Sequence, residues 1–193
     1  MRVLIACEYS GRVRDAFLSC GHDAMSCDLL PTEVDGPHYR GPVEDVLNDG
    51  WDLMIAHPPC THLAVSGAKH FAKKRADGRQ AAALDFVRLL MAAPVEQWCI
   101  ENPVSIISSQ IRKPDQIIQP WEHGHEQQKK TCLWLKNLLP LKPTKIVDKG
   151  EFVITSGGKK LPAWYSIPPS PDRWKDRSRT FEGIAKAMSQ QWG

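Results

Sequence analysis

Four short apolar runs, each ending on a polar or reactive cluster and separated by helix-length segments, constrain this chain more than any other feature. Arg2-Val3-Leu4-Ile5-Ala6-Cys7 is a continuous run of the kind shown by a strand buried on both faces, and Tyr9-Ser10-Gly11 punctuates it. Val13, Ala16, Phe17 and Cys20 then recur at helical spacing, and Gly21 offers a C-terminal stop. A second run covers Ala24 to Leu29. Pro31 to Pro42 reads as a loop and Glu44 to Asp49 as an acidic turn. The third run, Trp51 to Ala56, stops at His57-Pro58-Pro59-Cys60. Arg79 to Ala93 predicts the best helix, with Ala83, Phe86, Val87 and Leu90 as its apolar stripe. Pro94 ends it, and the fourth run, Val95 to Ile100, leads into Glu101-Asn102-Pro103. Strands and helices alternating at this spacing imply parallel pairing through right-handed crossovers. The expected fold class is therefore α/β, a doubly wound, mostly parallel sheet covered on both faces.

The second half is less regular. Thr131 to Leu135 reads as a strand, Leu139 to Pro143 and Leu161 to Pro171 as proline-rich connections, and Ser156 to Lys160 as a mobile stretch. Thr180 to Gln190, with Phe181, Ile184, Ala185 and Met188 on one face, predicts a closing helix. At 193 residues and 42% hydrophobic the chain suits one domain spanning 1–193, large enough to fold without disulfides. Its apolar runs are too short to span a bilayer, which excludes a membrane protein. Met1 to Cys7 lacks the pattern of a signal peptide, so the expected location is the cytoplasm, with reduced cysteines. The six cysteines include no C-x-x-C pair, so no metal site is expected. Cys7, Cys20, Cys27 and Cys99, in strand or helix interiors, read as core. The formal net charge of +3 permits a nucleic-acid partner without requiring one. Basic residues gather at Lys69, Lys73, Lys74, Arg75 and Arg79, at Lys129-Lys130, and at Arg173, Lys175, Arg177 and Arg179; each group alone reads as a solvated face.

In open α/β sheets ligands bind beyond the carboxyl ends of the strands. That rule selects Cys7-Glu8-Tyr9-Ser10-Gly11, Asp28, His57 to Cys60, and Glu101-Asn102-Pro103. A thiol and a carboxylate at adjacent strand ends, beside a small-residue turn over a helix N-terminus, would build a covalent-catalysis site next to a cofactor pocket.

Pro58-Pro59-Cys60 followed by Ser66-Gly67, and then Glu101-Asn102-Pro103-Val104, resembles the nucleophile and glutamate signatures of cytosine-5 DNA methyltransferases, in the same order. Phe181 to Met188 is similar to that family's last motif, a helix returning to the cofactor. The chain as a whole is similar to the short members found in phages and prophages, which share the His57 to Leu63 pattern and the Lys130 to Lys136 stretch. The resemblance implies a Rossmann-like, class I S-adenosylmethionine-dependent methyltransferase fold. It implies Cys60 as the nucleophile that adds to carbon 6 of cytosine, with Glu101 on the ring nitrogen and exocyclic amine and Asn102 beside it. S-adenosylmethionine would be held by Cys7, Glu8, Tyr9, Ser10, Gly11 and Pro58. Asp28 either touches the ribose or caps a turn, and Asp45 is a second candidate, for the adenine. The substrate contacts implied are Pro59, Thr61, Ser66 and Lys130, with Arg177 and Arg179 as compensating charges. The partner implied is DNA, double- or single-stranded, with the target base flipped out of any duplex.

The departures from the family pattern are specific. Thr61 stands where glutamine usually follows the cysteine, and Gly41-Pro42 stands where an aspartate is usual. The family's Gln-x-Arg-x-Arg motif corresponds to Gln128-Lys129-Lys130-Thr131-Cys132, in which lysine lacks arginine's planar fork and the second arginine is lost. Only about 140–179 is left for target recognition. A nucleotide or RNA substrate fits the same catalytic residues, and a non-catalytic nucleic-acid-binding module is the rival from another class. A zinc deaminase fits poorly, since Cys60 is followed by Thr61-His62-Leu63 rather than by a second cysteine.

Overall fold

The computed structural model describes residues 1–155, 157–168 and 170–193. Ser156, at the head of the stretch read as mobile, and Pro169, in the second proline-rich connection, lie outside the described residues. The four apolar runs become β1 (Arg2–Ala6), β2 (Asp23–Asp28), β4 (Leu53–Ala56) and β5 (Gln97–Pro103). Between them lie α1 (Arg12–Ser19), α2 (Phe71–Ala76) and α3 (Arg79–Met91), with a short edge strand, β3 (His38–Arg40), inside the segment expected to be only loop. After β5 come α4 (Ile107–Gln110), β6 (Gln116–Ile118) and β7 (Thr131–Lys136). A small hairpin, β8 (Phe152–Ile154) and β9 (Lys160–Pro162), follows, then α5 (Arg173–Ser178) and the closing helix α6 (Glu182–Trp192).

The main sheet has the order β3-β2-β1-β4-β5-β7-β6, a Rossmann-like arrangement. Pairing is parallel from β3 through β5, in register from Val3 opposite Ala24 and Leu53 to Ala6 opposite Cys27 and Ala56. The exception is β7, antiparallel to both β5 and β6, so the sheet is mixed. The physical reason is the connection: 119–130 carries only one short 3-10 turn, Pro120–Glu122, and so crosses the sheet edge without a helix to cover a face. A parallel return needs a covering crossover, and an antiparallel one does not. β7 therefore starts at the carboxyl edge and runs backward.

Alternation along the strands divides the core between the two faces. Leu4, Ala6, Met54, Ile100 and Trp134 pack with Leu84, Val87 and Leu90 of α3. Val3, Ile5, Leu53, Ile55 and Leu133 pack with Phe17 of α1 and with Ile184, Ala187 and Met188 of α6. Cys27, Cys99 and Cys132 are buried as small apolar residues, whereas Cys20, expected in the core, is exposed past the end of α1. No helix among the described residues is long and apolar enough to cross a membrane.

Candidate functional site

The chain leaves β1 toward β2 and β3 on one side and toward β4 on the other, so the sheet's topological switch lies between the carboxyl ends of β1 and β4. On the β4 side, the His57 N–H continues the ladder by donating to the Ala6 carbonyl (2.9 Å). The loop then folds into a tight turn in which Leu63 and Ala64 donate to the Cys60 carbonyl (3.0 and 2.9 Å). Val65 donates to Val104 and Ile106 to Leu63, which ties the turn to the chain beyond Glu101. Three side chains fasten the remaining carbonyls. Asn102 Nδ2 donates to Pro58 (2.8 Å), Lys74 Nζ to Thr61 (2.5 Å) and Gln80 Nε2 to His62 (3.2 Å). Asn102 is 1% exposed, so it holds the loop from beneath rather than lying open to a ligand. Lys74 and Gln80 were not legible as site-forming residues. Lys74, in a run that reads as solvated, is buried, while Lys73 and Arg75 beside it are exposed.

This scaffold presents Pro59, Cys60, Thr61 and Ser66 at the surface, with Pro58 buried beneath them. Glu101 lies within β5 rather than beyond it, because the ladder with β7 continues to Pro103. Ala56 is the last β4 residue paired with β5, so the Glu101 side chain still emerges past β4's end. Its Oε2 meets His57 Nδ1 at 3.1 Å. Burial works to raise the Glu101 pKa, but the hydrogen bond from His57 and the charge of Lys129 outweigh it and hold the carboxyl below its usual range. Protein packed around the Cys60 thiol pushes its pKa up, and the Glu101 charge adds to this, while Lys129 and Arg177 pull the other way. The resting thiol is therefore protonated near neutral pH.

Lys129, rather than the expected Lys130, is the cation facing this pair. The reversal of β7 is the cause: it delivers residues 119–130 to the carboxyl edge beside Glu101. Lys129 lines a narrow cleft with Glu101, Thr131, Thr180, Phe181 and Ile184. Its ammonium donates to the Arg177 carbonyl (3.0 Å) and lies over the Trp164 and Phe181 rings at 5.4 and 5.9 Å. Lys130 is exposed and Cys132 is buried in the sheet.

Across the switch, Cys7 (φ 59) and Gly11 (φ 74) take left-handed backbone to turn the chain into α1. The buried Glu8 carboxylate caps that helix, accepting from Val13 N (2.8 Å), Arg14 N (3.3 Å) and Ser10 Oγ (3.0 Å). Glu8 and Ser10 thus face the helix N-terminus. The Tyr9 hydroxyl bonds Ser178 Oγ (2.8 Å) and the Lys175 carbonyl (3.1 Å), and its ring packs on Trp174. Asp28, at the end of β2, accepts from Leu30 N (2.9 Å), and burial raises its pKa against that bond and the pull of His38. Asp45 is exposed and accepts from the Tyr39 hydroxyl (2.6 Å).

A strap formed by α5 lies over the β1–α1 turn. Besides Tyr9, it is held by Arg12 donating to the Thr180 carbonyl and by Arg179, whose guanidinium pairs with both Glu33 oxygens (2.7 and 2.8 Å) and with Asp176 (2.5 Å). Arg179 is therefore a clamp between elements, not an available substrate contact. Arg177 is half-buried, with its charge near Cys60. The larger hollow, about 430 Å3 and lined by Glu44, Leu47, Leu89 and Pro94 among others, lies at the amino edge of the sheet, away from these groups. Among the described residues no three His, Cys, Asp or Glu side chains are grouped to hold a metal ion. Comparison with known proteins yields no match, either among family models or among curated sequences.

Proposed function

We propose that this protein is an S-adenosylmethionine-dependent methyltransferase acting on carbon 5 of cytosine in DNA, with Cys60 as its nucleophile. The observation that carries the reading is the placement of Cys60 in the loop after β4, beside the β4 end past which the Glu101 side chain emerges, with Asn102 tying the two segments through Pro58.

The residues at the crevice fit this cofactor. Glu8 already places a carboxylate on the α1 N-terminus, which disfavours a phosphate-bearing cofactor there and suits one without phosphate. Asp28, at the end of β2, would hold ribose hydroxyls, and the Cys7–Gly11 backbone would border the amino-acid end. When bound, S-adenosylmethionine supplies an electrophilic methyl group. Cys60, once deprotonated, would add to carbon 6 of the base and make carbon 5 nucleophilic. Lys129 and Arg177 are the cations that favour its thiolate. As sulfur bonds to carbon 6, ring N3 would take up a proton from water, which keeps the adduct neutral, and Glu101, held ionised, would accept hydrogen bonds from that N3–H and from the exocyclic amine. After methyl transfer, loss of the carbon 5 proton to water would leave its electron pair to form the carbon 5–carbon 6 double bond as the carbon 6–sulfur bond breaks, which releases Cys60 as thiolate.

The test is transfer of tritiated methyl to duplex DNA, single-stranded DNA, RNA and dCMP, with cofactor binding followed by calorimetry. Wild-type protein should label DNA, and Cys60→Ser should abolish labelling while still binding cofactor. Calorimetry without heat, or full activity in Cys60→Ser, would end this reading. Labelling confined to RNA or dCMP would move the substrate and keep the chemistry.

A further inference from the structure

The buried imidazole of His57 joins the two halves of this site, and its chemistry is only half accounted for by its one partner. Its Nδ1 meets Glu101 Oε2 at 3.1 Å, and the side chain is 9% exposed. Its other nitrogen, Nε2, is buried and has no hydrogen-bond partner. An ionised carboxylate can only accept, so Nδ1 must carry the proton, and in the neutral ring Nε2 is then an acceptor. A buried acceptor without a donor is costly, and such groups concentrate where a ligand completes them. The backbone leaves little freedom in this arrangement. The His57 N–H is bonded to Ala6, and Asn102, adjacent to Glu101, holds the Pro58 carbonyl, so both ends of the pair are fixed.

We propose that His57 is the positioning residue of this site: Nδ1–H fixes one oxygen of Glu101, and Nε2 accepts a hydrogen bond from an N–H or O–H donor of the bound ligand. The second half rests on the function proposed above; the first does not. The donor belongs either to the cytosine base or to the cofactor, and the two sources are separable by experiment. Through Nδ1, the ring also stops Glu101 from rotating away from the base, an effect on the chemical step rather than on folding.

Long-range proton–nitrogen NMR on protein with labelled histidine reads the tautomer directly. We expect the Nδ1-protonated form at His57, lost in Glu101→Gln; an Nε2-protonated ring in the wild type overturns the proposal whether or not the protein transfers methyl groups. Titration with a cytosine-containing single strand in one arm, and with S-adenosylhomocysteine in the other, should shift the Nε2 resonance in the arm that supplies the donor. Movement of the Thr131 or Cys7 amides with Nε2 unmoved in both arms overturns the ligand half. If no resonance moves in either arm, the proposed function fails and the ligand half fails with it, while the tautomer still decides the positioning half.

Kinetics separate positioning from fold. Asn at 57 can keep a donor near the Nδ1 position, whereas Gln places its amide nearer Nε2. His57→Gln should lower kcat roughly ten- to a hundredfold with KM little changed, as for loss of a charged hydrogen bond acting in the transition state. His57→Asn should recover most of that kcat. Equal losses in the two variants, with unchanged thermal stability, would refute positioning through Glu101.

Discussion

Replacing Arg14 by methionine should destabilise the protein by about 3–5 kcal/mol, although Arg14 touches neither Cys60 nor Glu101. Its side chain is fully buried and its guanidinium is enclosed by acceptors: Asp15 Oδ1 (2.8 Å), Val34 O (2.9 Å), Thr32 Oγ1 (3.1 Å), Ser26 Oγ (3.2 Å) and Asp35 O (3.4 Å). Two glycines make room for it. A Cβ at Gly11 would lie 2.6 Å from Nη2, and one at Gly36 would lie 2.7 Å from Cζ. Each hydrogen bond to a charged group contributes about 1.5–3 kcal/mol, but methionine recovers the guanidinium's desolvation. What is left is the cost of stranding the Asp35 carbonyl, of loosening the Thr32, Ser26 and Asp15 contacts and of emptying the site, the Val34 carbonyl still accepting from Thr32 Oγ1, and together these set the range above. For a domain of this size it corresponds to a fall in Tm of roughly 6–20 °C. Urea unfolding followed by tryptophan fluorescence measures it, with Arg14→Lys expected to fall between wild type and methionine. A loss below about 1 kcal/mol would mean that desolvation cancels the network, and Arg14 would not be what anchors the loop after β2.

Other outcomes follow from the charges around the site. Cys60 should alkylate slowly at neutral pH and faster as the solution becomes more alkaline; Glu101→Gln should speed the reaction and Lys129→Met should slow it, read by mass spectrometry of the labelled peptide. Arg179 holds the Glu33 carboxyl below its usual range, so the pair's stabilisation is present above the unfolded Glu value and is lost as pH falls through the folded one. Glu33→Gln should flatten that acid limb of the stability curve, and an unchanged curve would argue against the α5 clamp. Burial depresses the pKa of His123 and His125, and the His125 Nε2 accepts the Gly183 N–H at the start of α6 (2.9 Å). Stability should therefore be complete above the ordinary histidine value near 6.5 and decline as pH falls toward the folded values. His125→Gln, which keeps an acceptor, should reduce that decline in pH-dependent melting.

The strands were legible because burial on both faces of a parallel sheet demands unbroken apolar runs, and Val3 to Ala6 and Leu53 to Ala56 satisfy that demand locally. The short elements were not. β3 has only three residues, of which His38 and Tyr39 are half-buried and Arg40 exposed, and the β8–β9 hairpin exposes Phe152, Val153 and Ile154, so neither carries a strong alternation. Lys74 and Lys129 could not be separated from their neighbours by composition: Lys73 and Arg75 are exposed beside one, Lys130 beside the other. Arg179 reads as a free cation in sequence and is paired in space with Glu33, 146 residues away.

By itself, the sequence determined that this chain forms an α/β sheet and that Cys60, Glu101, Asp28 and the Cys7–Gly11 turn lie at its carboxyl edge. Those features follow from runs of a few residues and from where each run stops. Tertiary structure alone decided which charged groups reach the site. The reversal of β7 brought in Lys129, burial turned Arg14, Lys74 and Asn102 into anchors, and the α5 clamp engaged Arg179. The physical reason is that a charged side chain's role depends on which acceptors and opposite charges surround it. Those partners here come from segments as much as 168 residues apart, a distance over which sequence patterns hold no information about contact.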